Sequence, residues 1–79
     1  MEIESFNQLF AQSKLTGMKL DGFSEDAVGF FYARWRSSSG AVGPEIKRRL
    51  PFTACLDAYL ACKAIVDEDS AGAEDDLFG

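Results

Sequence analysis

One segment, residues 51–66, is apolar around almost the whole circumference of a helix. At helical spacing its large apolar residues and cysteines are Phe52, Cys55, Leu56, Tyr59, Leu60, Cys62, Ile65 and Val66. Four alanines fill much of the remainder, and only three positions are plainly polar. A helix that is apolar on all sides is buried in a fold or in a partner. The sequence therefore predicts a central helix from Pro51 or Phe52 to about Val66.

A first helix is predicted from Phe6 to about Leu15. Ser5 followed by Gln8 matches a capping box, in which each side chain accepts a hydrogen bond from the other residue's backbone amide. Gly17 is placed to end the helix in a left-handed conformation, which glycine adopts without steric cost.

Two more helices are predicted in the middle of the chain. Ser24 is a good N-cap, and two acids follow it, so a second helix is predicted as far as the serines and glycine of residues 37–40. A proline at the favoured first position predicts a short third helix over residues 44–49. Residues 16–23 form a connector, for which a short extended segment is the alternative.

Charge divides the chain unevenly, although its overall net charge is −5. Residues 67–79 contain six acids and no base, whereas residues 1–66 contain seven acids and eight bases. Mutual repulsion and a low apolar content predict that residues 67–79 are disordered. The predicted fold is therefore all-α: a small three- to four-helix bundle over residues 1–66, followed by a disordered acidic C-terminal tail.

The residues needed for most enzymatic chemistry are missing. The chain has no histidine, the commonest general base. Cys55 and Cys62 lie two helical turns apart, too far for a disulfide within one helix. We expect two buried free thiols, no metal site, no cofactor and no enzymatic activity. No apolar run is long enough to cross a membrane, and the first residues do not resemble a signal peptide. The expected location is the cytoplasm, or the host cytoplasm for a phage-encoded protein.

Five of the eight basic residues fall within a short stretch of the chain. This predicted basic patch consists of Arg34, Arg36, Lys47, Arg48 and Arg49. Basic residues near aromatic ones can bind nucleic acid through phosphate contacts and stacking. Three interpretations stay open: a solvated rim around the core, a nucleic-acid site that the acidic tail inhibits, and a site for an acidic protein surface.

The chain has more apolar side chains than the core of so small a domain easily buries, and contiguous exposed apolar surface marks partner sites. The leading hypothesis is therefore a non-enzymatic helical protein-interaction module, of the type of a phage or mobile-element inhibitor or assembly factor that binds a host or virion protein. The candidate partner-binding residues are Phe30, Phe31, Trp35, Phe52 and Tyr59. A homodimer through the 51–66 helix is one form of this hypothesis.

The acidic tail ends with a second candidate docking motif. Its acids are followed by Leu77 and Phe78, and this arrangement resembles the tails of bacterial single-stranded-DNA-binding proteins. The resemblance implies that the tail docks partner proteins, although here the order is Leu-Phe-Gly and not Pro-Phe. The alternative is a tail that only increases solubility.

Overall fold

The computed structural model describes the backbone of residues 3–78 and the side chains of residues 3–68. Within these residues the chain forms α1 (Phe6–Leu15), β1 (Met18–Glu25), β2 (Phe31–Ser37), β3 (Ile46–Arg48) and α2 (Pro51–Phe78). The strands form one antiparallel sheet in the order β1-β2-β3. The predicted all-α helical bundle is therefore wrong, because the middle of the chain is a sheet and the fold is α+β.

Helix α1 has the predicted bounds, and its capping residues explain them. Ser5 Oγ accepts a hydrogen bond from the Gln8 amide at 3.3 Å. The Gln8 side chain in turn accepts one from the amide of Glu4, one residue earlier than in a standard capping box. Gly17 follows the helix with φ of +70°, which is the left-handed conformation expected after a helix end.

The predicted second helix is wrong because its core is strand β2. Ala33, Trp35 and Ser37 are buried, whereas Arg34 is half-buried and Arg36 is exposed. This alternation with a period of two is that of a strand with one covered face. The aromatic residues of the segment also favour a strand, since they pack well on a pleated surface.

Ser24 and the two acids after it, which resembled the start of a helix, instead lead into the turn of a β-hairpin between β1 and β2. Asp26 Oδ1 accepts hydrogen bonds from the amides of Val28 at 2.9 Å and Phe30 at 3.0 Å. Asp26 Oδ2 accepts a third from the Tyr32 hydroxyl at 2.8 Å. Gly29 has φ of +100°, a conformation that favours glycine. An acidic side chain that bonds nearby amides thus stabilises a turn as well as it caps a helix.

We expect Asp26→Asn to weaken the acid sensitivity of folding. The amide of Phe30 and then the Tyr32 hydroxyl hold the pKa of Asp26 below its ordinary value of 3.8, because both stabilise the charged carboxylate. The stabilisation by Asp26 is therefore complete above the unfolded-state pKa and is lost as pH falls through the lower folded-state pKa. Urea unfolding followed by circular dichroism, from neutral to strongly acidic pH, measures this loss.

The control for this experiment is Glu25→Gln, since the neighbouring Glu25 receives none of these three hydrogen bonds. It should reproduce the wild-type fall in stability with acidification, whereas Asp26→Asn should be less stable at neutral pH and flatter below it. Identical pH profiles for wild type and Asp26→Asn would show that the turn carboxylate has no such role.

The pairing of β1 with β2 is interrupted by a β-bulge. Leu20 and Gly22 pair with consecutive residues of β2, so Asp21 is the extra residue. The bulge changes which positions of β1 face the helices. Before the bulge the even-numbered residues Met18 and Leu20 face the helices, and after it the odd-numbered Phe23 does. Phe23 therefore lies beside Phe31, with ring centroids 6.0 Å apart.

The predicted third helix over residues 44–49 is also wrong. Ile46 and Lys47 pair with Ala33 and Tyr32 of β2, so the segment completes the sheet as β3. A proline at the start of this segment is compatible with extended backbone as well as with a first helical turn. Pairing with an existing strand satisfies backbone groups that an isolated six-residue helix would leave unpaired.

The loop before β3 lies directly against α2. The Gly43 amide donates a hydrogen bond to the Trp35 carbonyl at 2.9 Å. A Cβ atom on residue 43 would lie 2.7 Å from Cys62 Cβ and 3.1 Å from Cys62 Cα. Glycine at this position is therefore what lets the loop approach the helix.

Helix α2 begins at Pro51, as predicted, and is assigned past Val66 to Phe78. It buries one stripe against the sheet, formed by Ala54, Cys55, Ala58, Tyr59 and Cys62. Leu60, on another face, is 48% exposed. The helix is thus a covering layer with one buried face, and not a central element surrounded on all sides.

Trp35 is the largest side chain of the core and is fully buried. Its indole Nε1 donates a hydrogen bond to the Cys55 carbonyl at 2.8 Å, and its ring meets the Tyr59 ring edge-on with centroids 5.4 Å apart. Small alanines in the buried stripe of α2 leave room for this large ring. The contact ties β2 to α2 at the centre of the domain.

Both cysteines are free and buried, as predicted. Burial raises the pKa of both thiols, which favours their protonated form. The backbone of residues 67–78 continues α2, whereas the side chains after Glu68 lie outside those described. That this segment is disordered in solution stays a prediction. Within the described residues, neither helix combines the length and hydropathy needed to cross a bilayer.

Candidate functional site

The two helices cover one face of the sheet and leave the other uncovered. Phe10 of α1 and Tyr59 of α2 contact Trp35 from the covered side. On the opposite side, cross-strand pairing places Lys19 beside Arg36. We define the outer face by the following side chains: Lys19, Phe30, Tyr32, Arg34, Arg36, Lys47 and Arg49. Five of these seven are cationic, so the sheet presents a basic surface.

The centre of the outer face is a cluster of cations and aromatic rings. Lys47 Nζ lies 4.3 Å from the Phe30 ring centroid, and Arg49 Cζ lies 4.4 Å from it. Lys47 Nζ is also 5.9 Å from the Tyr32 centroid. Cation–π contacts at exposed sites contribute about 0.5–1 kcal/mol. The two cations therefore have a defined position but are not firmly held.

The two arginines of the outer face share one carboxylate. Arg34 Nη2 lies 3.0 Å from Asp21 Oδ2, and Arg36 Nη2 lies 3.6 Å from the same atom. Asp21 is the bulged residue of β1. Both arginine side chains are about half exposed, and ion pairs of this kind contribute about 0–1 kcal/mol. Asp21 thus orders the guanidinium groups while leaving them accessible to another anion.

Tyr32 is fixed on the outer face by its hydrogen bond to Asp26. This bond, followed by desolvation, raises the pKa of the Tyr32 hydroxyl, so the side chain is a neutral phenol at neutral pH. Glu45 adds a smaller electrostatic effect in the same direction. Acidic groups are therefore present near this face, but they are fewer than its five cations.

The structure brings together four of the five residues of the predicted basic patch. Arg34, Arg36, Lys47 and Arg49 share the outer face. Arg48 points to the other side of β3, where its Nε lies 2.8 Å from Asp57 Oδ2 of α2. Adjacent residues in a strand face opposite ways. Because this segment was predicted to be a helix, the separation of Arg48 from Lys47 was not predicted.

The five apolar residues predicted to bind a partner do not form one surface. Trp35 and Tyr59 are buried, and Phe31 and Phe52 are partly buried against the core. Phe30 alone lies on the outer face, beneath Lys47 and Arg49. Leu77 and Phe78 of the tail motif lie outside the described side chains.

Sequence reasoning missed Lys19, which joins the outer face by pairing with Arg36. The available signal was the alternation of apolar and polar residues from Met18 to Asp21, which is typical of a strand. The same two-residue period from Phe31 to Arg36 would have separated buried Trp35 from the arginines on either side of it.

A second concave surface lies between α1 and β1, and we call it the α1–β1 groove. It has a volume of about 460 Å³. Its apolar lining comes from Phe10, Met18, Leu20 and Trp35, and Lys14 and Lys19 provide its charged groups. Lys19 therefore belongs to both surfaces, so the groove and the outer face are adjacent.

The side chains of residues 3–68 provide no cluster of three or more cysteines and carboxylates that would suit a metal ion. Comparison with protein-family models, curated proteins and solved structures gave no match. The class that the fold and these surfaces define is a small α+β domain with a basic–aromatic sheet face.

Proposed function

We propose that this chain is a non-enzymatic binding module that holds single-stranded nucleic acid on the outer face of its sheet. The observation that supports this is the cluster in which Lys47 and Arg49 lie over Phe30, beside Tyr32 and the two arginines. Phosphates supply the charge that the cations bind, and bases supply flat rings that stack on aromatic side chains.

When a single strand binds, the cation–π contacts of Lys47 and Arg49 with Phe30 can be replaced by phosphate contacts and base stacking. Each cation–π contact contributes about 0.5–1 kcal/mol, whereas stacking of one base on an aromatic ring contributes about 1–3 kcal/mol. Lys47 and Arg49 can therefore move from the Phe30 ring to phosphates, and a base can occupy the uncovered ring. An open sheet face suits splayed single strands better than a duplex, whose bases are already stacked on one another.

The acidic residues 67–79 fit this proposal as an inhibitory element. Of the six carboxylates of this segment, that of Asp67 already pairs with Lys63 of α2. The others, on a neighbouring copy of the chain, compete with phosphates for the same cations, and this competition weakens with salt. We place the activity in the cytoplasm, including a host cytoplasm if the protein belongs to a phage.

The test compares the loss of the outer-face cations Lys47 and Arg49 with the loss of Arg48, which lies between them and faces the other way. Lys47→Gln/Arg49→Gln should lower the affinity for labelled oligothymidine or oligouridine about tenfold or more, because two phosphate contacts are lost. The slope of log affinity against log salt should become shallower by about 1.4, since each contact to a single strand contributes about 0.7. Fluorescence anisotropy at several low salt concentrations measures both quantities.

Arg48→Gln is the matched control, since it removes the same charge from the opposite side of the strand. It should bind like wild type, since the contacts that it loses are the exposed pair with Asp57 and a hydrogen bond to the neighbouring Lys47 carbonyl, both away from the outer-face side chains. Equal weakening by both variants, or equal affinity for a duplex of the same length, would overturn the proposal. So would a lack of binding at low salt by a full-length variant with Glu74, Asp75 and Asp76 changed to amides.

A second candidate function is protein binding at the α1–β1 groove. Phe10, in its wall, is 39% exposed, and an open apolar groove is a common feature of partner sites. In this version the chain acts as an inhibitor or assembly factor that binds another protein.

A further inference from the structure

The α1–β1 groove combines an apolar lining with positive charge. Lys14 and Lys19 are exposed, and no acidic residue contributes to its lining among the described side chains. Trp35 and Met18 are already buried in the domain, so a ligand would chiefly cover Phe10 and Leu20. Such a groove fits a ligand with a large apolar group next to carboxylates.

Residues 74–78 of this chain have that chemistry. Glu74, Asp75 and Asp76 are followed directly by Leu77 and Phe78. Three carboxylates complement the two lysines, and a leucine or phenylalanine side chain is of a size that an apolar groove of about 460 Å³ accepts. Charge complementarity and apolar matching therefore agree on the same short segment.

We propose that residues 74–78 of a second copy of the chain dock in the α1–β1 groove. The segment comes from another copy because α2 is assigned as one helix from Pro51 to Phe78, and a continuous helix does not fold back onto its own domain. Two copies that exchange this segment form a two-fold dimer, the commonest symmetry of homo-oligomers. This inference deepens the second candidate function by naming the partner.

The adjacency of the two surfaces gives the dimer a consequence for nucleic acid. Lys19 belongs to the groove and pairs with Arg36 across the strands of the outer face. Carboxylates docked in the groove therefore lie at the margin of the outer face and repel phosphates there. This consequence rests on the proposed nucleic-acid binding, whereas docking itself does not.

The test measures docking without nucleic acid, so its failure and that of the proposed function are distinguishable. Sedimentation equilibrium of the full chain should show association that increases with concentration at low salt. Lys14→Glu/Lys19→Glu should weaken dimerisation about tenfold or more, and Phe78→Ala by a similar factor, because one removes charge pairing and the other apolar burial. A mixture of Lys14→Glu/Lys19→Glu with Asp75→Lys/Asp76→Lys should recover association, since the charges are exchanged.

Lys63→Glu is the matched control. Lys63 lies with Leu60 and Ile3 at a different depression of about 380 Å³, so this variant should dimerise like wild type. A monomer of 8.7 kDa at high micromolar concentration would overturn the proposal. Weakening by Lys63→Glu without any effect of Lys14→Glu/Lys19→Glu, or failure of the charge exchange in folded variants, would also overturn it.

Discussion

Gly43→Ala is expected to destabilise the domain by about 1–3 kcal/mol, the usual cost of forcing one extra group into a packed site. The new methyl group would lie 2.7 Å from Cys62 Cβ and 3.1 Å from Cys62 Cα. Neither atom belongs to a flexible side-chain end, so the loop or α2 must shift. The shift also strains the hydrogen bond from the Gly43 amide to Trp35. Urea unfolding monitored by circular dichroism gives the free energy of unfolding.

Gly22→Ala provides the comparison for this experiment. Gly22 also lacks a positive φ, and its added Cβ would meet only Arg34 side-chain atoms at 3.9–4.0 Å, which is ordinary contact. This variant should stay within about 0.5 kcal/mol of wild type, as surface changes usually do. If Gly43→Ala proved equally harmless, the close approach of the loop to α2 would be refuted.

Trp35→Ala is expected to remove a large part or all of the stability of the domain. Removing a buried tryptophan costs about 3–5 kcal/mol, and a domain of this size has a total stability of only about 3–10 kcal/mol. The substitution also removes the hydrogen bond to the Cys55 carbonyl and the edge-on contact with Tyr59. Loss of dispersed amide signals in a proton–nitrogen correlation spectrum would report the unfolding.

Two further variants separate the causes. Trp35→Phe keeps an aromatic ring but loses the indole donor, so it should have intermediate stability. Phe23→Ala removes an aromatic side chain that is already 47% exposed, so it should cost clearly less than Trp35→Ala. A folded Trp35→Ala as stable as Phe23→Ala would show that Trp35 does not hold β2 against α2.

Local signals predicted the two helices whose ends are fixed by nearby residues. Ser5 and Gln8 determine the start of α1, Gly17 determines its end, and Pro51 begins α2. All these effects act within a few residues of one another in the chain. They were therefore readable without knowledge of what the elements pack against.

The sheet was missed because its decisive interactions are not local. Phe31 and Tyr32 pair on one side with Glu25 and Ser24 and on the other with Arg48 and Lys47. Ser24 and the acids after it are residue types that both a helix N-terminus and a β-turn favour. Only the two-residue burial period distinguishes these structures, and the bulge at Asp21 interrupts that period in β1.

The candidate site was predictable in composition but not in arrangement. Clustering in the sequence identified Arg34, Arg36, Lys47 and Arg49, although a helix would have spread them around its axis. The strand geometry excludes Arg48 from the outer face and adds Lys19. The groove was not predicted at all, because it depends on how α1 packs beside β1.

The chain contains one tryptophan, and its position provides an intrinsic optical probe. Trp35 is shielded from solvent between β2 and α2 and also lies in the wall of the α1–β1 groove. Its emission should therefore shift to longer wavelength when the helix leaves the sheet, and change more modestly when a ligand fills the groove. A ligand on the outer face has no contact with the indole and should leave that emission unchanged. One fluorophore thus separates unfolding, groove occupation and outer-face binding without any added label.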